Sequence, residues 1–190
     1  MSATHLVTTV STPNPDALMF RVQEVLIPMG THEYLRESDT TRAPLARALI
    51  ALSEVELVLI APRFVTVRKH ADATWDELEE RVSETIADFI ESGEMAVIED
   101  DNPGSAAREL SPIEQRIVEL LNEEIRPAIA QDGGDVTFES FKDGVVYLRL
   151  VGSCGTCPSS VTTLKMGIER LLVEEIPEVE RVENLDWMND

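Results

Sequence analysis

The sequence predicts an α+β protein of two small α+β domains joined by an acidic linker. In residues 1–98, short strand patterns are interspersed with two helical ones. Residues 99–110 are acidic, contain Pro-Gly-Ser and lack any apolar period, as linkers do. Residues 111–190 read as a small sheet with two helices and a Cys-x-x-Cys loop. We therefore expect domains at 1–98 and 111–190, which suits a chain of 190 residues.

The first domain opens with two predicted strands around a stiff turn. Residues 6–10 and 18–27 carry β-branched or alternating side chains, a pattern typical of strands. Between them, residues 12–16 read Thr-Pro-Asn-Pro-Asp, and this composition indicates a tight loop. Residues 31–41 are polar and are expected to be irregular.

Two helices and a hairpin complete the predicted first domain. Pro44 suits the first turn of a helix, and apolar residues follow it at helical spacing. Residues 55–68 contain two apolar runs around a short turn, which predicts a hairpin. Thr74 is expected to cap the second helix in a capping box with Glu77, and Gly93 is expected to end it.

The second domain begins with a strong helix signal. Ser111 is a good N-cap, Pro follows it, and Glu114 lies in the first turn. This helix is predicted to run to about Ala130, with a kink or an end of its regular part at Pro127. Residues 179–182 are expected to add a short last strand.

A predicted hairpin leads into the two cysteines of the chain. Residues 136–141 and 145–151 are expected to pair around an Asp-Gly turn. Cys154 and Cys157 follow, and Pro158 is expected to begin a helix. Both sulfurs would then lie near the positive end of a helix dipole, which favours the thiolate form that binds metal or attacks a disulfide.

Several uses of this cysteine pair are open from the residues alone. Two buried apolar cysteines are unexpected in a Gly/Ser/Thr/Pro loop. A structural disulfide is disfavoured because no secretory signal is evident and intracellular thiols stay mostly reduced. Thiol–disulfide exchange and metal binding remain.

The number of possible ligands points to a second copy of the chain if metal is bound. A closed zinc site or a cubane cluster needs about four ligands, and Cys154 and Cys157 supply two. The three histidines lie scattered in the first domain without ligand spacing: His5, His32 and His70. A two-fold homodimer would bring four thiolates together.

Charge and hydropathy restrict the partners. The net charge of −20 argues against nucleic acid and acidic membranes. No apolar run is long enough to span a membrane. Residues 1–10 have no positively charged region and no Arg, so neither a signal nor a transit peptide is predicted there. On this basis we expect a cytoplasmic protein.

Motifs in both halves resemble those of Nfu proteins, the iron–sulfur cluster scaffolds and carriers. The C-terminal motifs resemble the NifU-type domain: Asp-Gly-Gly-Asp at 132–135, Val-Gly-Ser-Cys-Gly-Thr-Cys-Pro-Ser-Ser at 151–160 and Thr-Leu-Lys-Met-Gly-Ile-Glu at 163–169. The N-terminal motifs resemble the Nfu N-terminal domain: Thr-Pro-Asn-Pro at 12–15, Leu-x-Phe at 18–20, Pro-Leu-Ala at 44–46 and Trp-Asp-Glu-Leu at 75–78. Gly-Thr at 155–156, where Ser-Gly is more usual, leaves the ligand spacing intact.

The resemblance implies a carrier rather than an enzyme. It implies a 4Fe–4S cluster bridged between two subunits by Cys154 and Cys157, linked to the cluster-assembly machinery and handed on to apo recipient proteins. The alternative from another class is a thiol–disulfide oxidoreductase that uses the same pair. The hairpin before the cysteines and the short chain after them disfavour a thioredoxin-type fold. A zinc-binding structural adaptor is the third interpretation.

Overall fold

The computed structural model describes residues 6–98, 110–153 and 158–185, without the side chains of 158–161. The chain forms two compact units, Met1–Asp100 and Asp101–Asp190. Each combines a β-sheet with helices, which confirms the predicted α+β class. The predicted linker lies outside the described residues except for Leu110.

The first unit is built on a five-stranded antiparallel sheet of order β1-β2-β5-β4-β3. Its elements are β1 (Val7–Ser11), β2 (Ala17–Val22), β3 (His32–Leu35), α1 (Pro44–Ile50), β4 (Val55–Ile60), β5 (Phe64–Lys69) and α2 (Leu78–Ser92). Apolar side chains of both helices and of the sheet form one buried core, which includes Phe20, Leu45, Leu49, Val82 and Ile86.

Three predictions for this unit need correction. The strand predicted for residues 18–27 ends at Val22, because the next residues hydrogen-bond to the turn between β4 and β5. The segment predicted to be irregular contains β3, which pairs with β4 from the edge of the sheet. The capping box at Thr74 is not formed: α2 begins at Leu78, and no side chain caps it.

The second unit contains two helical segments, a three-stranded sheet and one long helix. Its elements are α3 (Pro112–Leu120), a π-helical turn (Leu121–Ile125), α4 (Arg126–Gln131), β6 (Gly134–Lys142), β7 (Val145–Gly152), α5 (Pro158–Glu175) and β8 (Arg181–Asn184). β6 and β7 form the predicted antiparallel hairpin. β8 pairs with β7 in parallel, so α5 is the crossover between two parallel strands.

The start of α3 and the irregularity near Pro127 agree with the sequence. Ser111 accepts a hydrogen bond from the Glu114 N–H at 3.3 Å, and Glu114 accepts one from the Ser111 N–H at 2.8 Å, which completes a capping box. Ahead of Pro127 the chain makes a π-helical turn and then resumes the α-helix at Arg126. Within the described residues no helix is both long and apolar enough to cross a membrane.

Candidate functional site

The structure describes both flanks of the cysteine segment. Cys154 and Cys157 themselves lie outside the described residues. β7 ends at Gly152, Ser153 follows it, and α5 begins at Pro158 as predicted. The segment that carries the cysteines therefore connects the end of a central strand to the start of a long helix.

The hairpin register brings the Asp-Gly-Gly-Asp motif beside this segment. Gly134 pairs with Gly152, and Asp135 pairs with Val151. Ser153, only 1% exposed, donates its hydroxyl to the Asp132 carbonyl and its N–H to the Gly133 carbonyl at 3.3 Å. Ser153, the residue immediately before Cys154, is thus held by the Asp-Gly-Gly-Asp motif.

Two glycines make this approach possible. Gly133 and Gly152 both have φ +73°, in the left-handed region that other residues adopt at a cost. Gly133 turns the chain out of α4 toward β6, and Gly152 turns it out of β7 toward the cysteines. Gly133 and Gly152 therefore set the direction of the backbone on the side of β7 that leads to the cysteine segment.

An ion pair between Arg126 and Asp135 stabilises the Asp-Gly-Gly-Asp motif. Asp135, 6% exposed, accepts two hydrogen bonds from Arg126, at 2.9 Å from Nε and 3.0 Å from Nη2. It also accepts the Val136 N–H at 2.8 Å. Asn122 accepts a further bond from Arg126 Nη1 at 3.1 Å, so the guanidinium is held from two sides. Asp135 belongs to a motif that is evident in the sequence, whereas Arg126 was not predicted as part of the site.

The helix on the other flank is anchored to the sheet. Lys165 lies 3.1 Å from Glu183 of β8, and Glu169 accepts the Val182 N–H at 3.0 Å. Ile168 and Leu172 are buried in the core of the second unit. The described contacts therefore hold the chain up to Ser153 on one side and α5 from Lys165 onward on the other.

The histidines behave as ordinary residues where they are described. His32 stacks on Tyr34 at 6.5 Å between ring centroids, and the backbone of His70 takes part in hydrogen bonds near β5. His5 lies outside the described residues. In the described ranges, no group of three or more His, Cys, Asp or Glu side chains could hold a metal ion.

The stiff loop of the first unit is held by hydrogen bonds within the loop and from residues outside it. Asn14, 8% exposed, accepts the Asp16 N–H on its side chain at 3.0 Å. Lys69 Nζ lies 2.6 Å from Asp16 Oδ1, and the Trp75 indole donates to the Pro15 carbonyl at 3.2 Å. These contacts stabilise the turn formed by the Pro-Asn-Pro sequence, so the sequence has a structural role there.

Two family models match the chain, one in each unit. Residues 7–93 match the scaffold protein Nfu/NifU N-terminal domain, and residues 117–183 match the NifU-like domain. Together they cover most of the 190 residues.

Three curated proteins show the degree of similarity. The chain is 40% identical over 179 residues to the NFU1 iron-sulfur cluster scaffold homolog, mitochondrial, of Homo sapiens, covering 93% of this chain and 70% of that protein. The protein of the same name in Drosophila ananassae is 35% identical, covering 93% and 63%. NifU-like protein 5, mitochondrial, of Arabidopsis thaliana is 37% identical, covering 95% and 68%. The chain thus spans roughly two thirds of the length of these relatives.

The expectation of a cytoplasmic protein is wrong in the light of these relatives, which are named as mitochondrial. That expectation rested on the lack of a membrane-spanning run and on the uncharged character of residues 1–10, and neither feature determines where a protein works. The match to both family models and the identity to these relatives extend over nearly the whole chain. The chain therefore belongs to the Nfu family.

Proposed function

We propose that this protein is an iron–sulfur cluster carrier. It binds a 4Fe–4S cluster between two subunits through Cys154 and Cys157 of each, and it transfers the cluster to apo recipient proteins. The cluster is cargo received from the assembly machinery. The relatives named as iron-sulfur cluster scaffolds support this role.

The observation that carries the proposal is the anchoring on both sides of the cysteine segment. Ser153 is buried and bonded to the Asp-Gly-Gly-Asp motif, and α5 is tied to β8. Such anchoring reduces the conformational entropy lost when two thiolates of one segment take up a single centre.

Ligand number favours two chains for each cluster. A cubane cluster is held by about four thiolates, and this chain has two cysteines. A two-fold dimer supplies the remaining two from an identical segment. Because the cluster then lies at a subunit interface, separating the subunits exposes it to an incoming ligand.

Transfer in this arrangement is an exchange of ligands without net oxidation or reduction. Each recipient cysteine enters as a thiolate and releases a proton, and each departing carrier thiolate takes up a proton. The iron–sulfide bonds of the cluster stay intact throughout. The carrier therefore needs no catalytic side chain, in keeping with a role that is not enzymatic.

The two units have different roles in this proposal. Residues 111–190 hold the cluster, because both cysteines lie there. Residues 1–98 contribute to recipient choice or to the stability of the loaded form, and the linker at 99–110 lets the carrier unit reach a docked partner. In this way the first unit raises the effective concentration of recipient without contacting the cluster.

Anaerobic reconstitution with iron and sulfide tests the proposal. We expect about four iron and four sulfide for every two chains, a 4Fe–4S signal in Mössbauer spectra, and transfer to an apo 4Fe–4S recipient. Cys154→Ala and Cys157→Ala should each abolish stable cluster binding, whereas Thr137→Ala, an exposed change on the same hairpin, should not. Full cluster content in either cysteine variant would refute the ligand assignment. Cysteine-dependent disulfide reduction without a cluster would favour the oxidoreductase instead.

A further inference from the structure

One face of α5 exposes large apolar side chains. Met166 is 67% exposed and Val173 is 41% exposed. They are seven residues apart, which is about two helical turns, so they lie on the same side of the helix. The opposite side packs into the core through Ile168 and Leu172. The outer side of α5 therefore offers apolar side chains that a partner could cover.

Gly167, next to Met166, is not required by the packing of its own chain. A Cβ built at this position would have no heavy atom within 4 Å, whereas one at Gly144 would lie 2.9 Å from Glu180. A glycine inside a helix is destabilising relative to alanine. A close approach by another molecule would account for a residue without a side chain here.

The Met166 end of this face, unlike the Val173 end with Glu169 and Glu174, belongs to the least acidic part of the chain. Residues 144–168 contain no Asp or Glu, although the chain carries 36 of them. Their two cations are paired: Arg149 lies 3.4 Å from Glu139, and Lys165 lies 3.1 Å from Glu183. Two copies with a net charge of −20 each repel one another, and this nearly neutral region minimises that repulsion on contact.

We infer that the face of α5 around Met166 and Gly167 packs against the same face of a second copy when a cluster bridges the two chains. The inference rests on the proposed function, since a shared cluster places the two-fold axis at the cysteine segment. α5 begins at Pro158, the residue after Cys157, and Met166 lies eight residues further on, about 12 Å along the helix. The start of α5 in each chain then lies near the axis, and the outer side of α5 around Met166 is within reach of the second copy.

Met166→Glu tests this contact directly. Anaerobic sedimentation equilibrium of the cluster-loaded full chain should show a dimer dissociation constant raised at least about tenfold, because an acid then faces its copy in a desolvated contact. Met29→Glu is the matched control: Met29 is 75% exposed in the first unit, and its replacement should leave the dimer unchanged.

Gly167→Ala should move two measurements in opposite directions. The second unit of the apo protein should melt about 2–8 °C higher, because alanine is the better helix former and meets no neighbour. The loaded dimer should dissociate more readily, because the added methyl group lies in the contact. A merely structural role for this glycine would not weaken the dimer.

Photo-crosslinking identifies the occupant independently of dimer affinity. With p-benzoylphenylalanine at position 166, the loaded protein should give a covalent dimer, and the same group at position 29 should not. Unchanged dimer affinity in Met166→Glu, or a crosslink to an added recipient but not to a second copy, would overturn the inference and leave cluster binding by the cysteines standing. A wild-type protein that binds no cluster would instead refute the proposed function.

Discussion

Replacing Arg126 should destabilise the second unit more than replacing its partner Asp135. The Asp135 side chain is 8% exposed and that of Arg126 is 35% exposed. Arg126→Ala removes the charged partner of a buried carboxylate, at a cost of about 3 kcal/mol. Asp135→Ala leaves a guanidinium that water can reach, at a cost of about 1.5 kcal/mol. The two costs differ because the Asp135 side chain is more buried than that of Arg126.

Hydrogen exchange in the full chain measures this difference where it arises. For amides of β6 and β7 that exchange by unfolding of the second unit, about 3 kcal/mol corresponds to roughly 150-fold faster exchange, and about 1.5 kcal/mol to roughly tenfold. Amides of β4 and β5 report the first unit and should keep the wild-type rate. The double variant should cost less than the sum of the single ones, because it removes both charges of the pair together.

Equal effects of the two replacements, or a larger effect for Asp135→Ala, would refute the assignment of Asp135 as the buried member of the pair. A change confined to the first unit would refute the placement of the pair altogether. In either case the anchoring of the cysteine segment through Asp135 would have to be abandoned.

Three further predictions concern single contacts. Gly133→Ala should destabilise the second unit by about 1–2 kcal/mol in urea titrations, because φ is +73° there, and unchanged stability would contradict the turn assigned to it. Ser53→Ala should raise the pKa of Glu54 from about 2, because the Ser53 hydroxyl, and after it Arg81, lowers that pKa. Carbon NMR titration of Glu54 measures the change. In the wild type, the stability that ionised Glu54 gains from these contacts should be present above pH 4.5 and fade toward pH 2. Lys69→Met should cost less than about 1 kcal/mol, because the side chain is replaced by one of similar shape and Asp16 is 38% exposed; a larger loss in urea titrations would show that this ion pair stabilises the loop strongly.

Local signals in the sequence predicted the elements that depend on local contacts. The Ser111 capping box, the left-handed Gly93 at the end of α2 and the hairpin of β6 and β7 all form as expected. Each depends on residues within a few positions of one another, so their sequence pattern carries the necessary information.

Contacts between distant residues were not predictable in the same way. β8 pairs in parallel with β7 across the whole length of α5, and β3 gains its strand conformation from β4. Trp75, expected inside a helix, donates its indole to Pro15, and α2 starts after it. In these cases tertiary pairing outweighed local propensity.

The site shows the same division. The cysteine spacing and the glycines were evident from sequence, whereas the bond from Ser153 to Asp132 and the pair of Arg126 with Asp135 depend on the hairpin register and on the π-helical turn. A basic residue within ten positions of a buried acid in the motif is too common a pattern to have identified Arg126 in advance.

Native mass spectrometry of the anaerobically reconstituted protein tests the central claim most directly. The account predicts one species of two 21.1 kDa chains with four iron and four sulfide atoms, and its loss in Cys154→Ala and in Cys157→Ala. A single chain that carries a complete cluster, or a two-chain species that retains the cluster without one of the cysteines, would contradict the account.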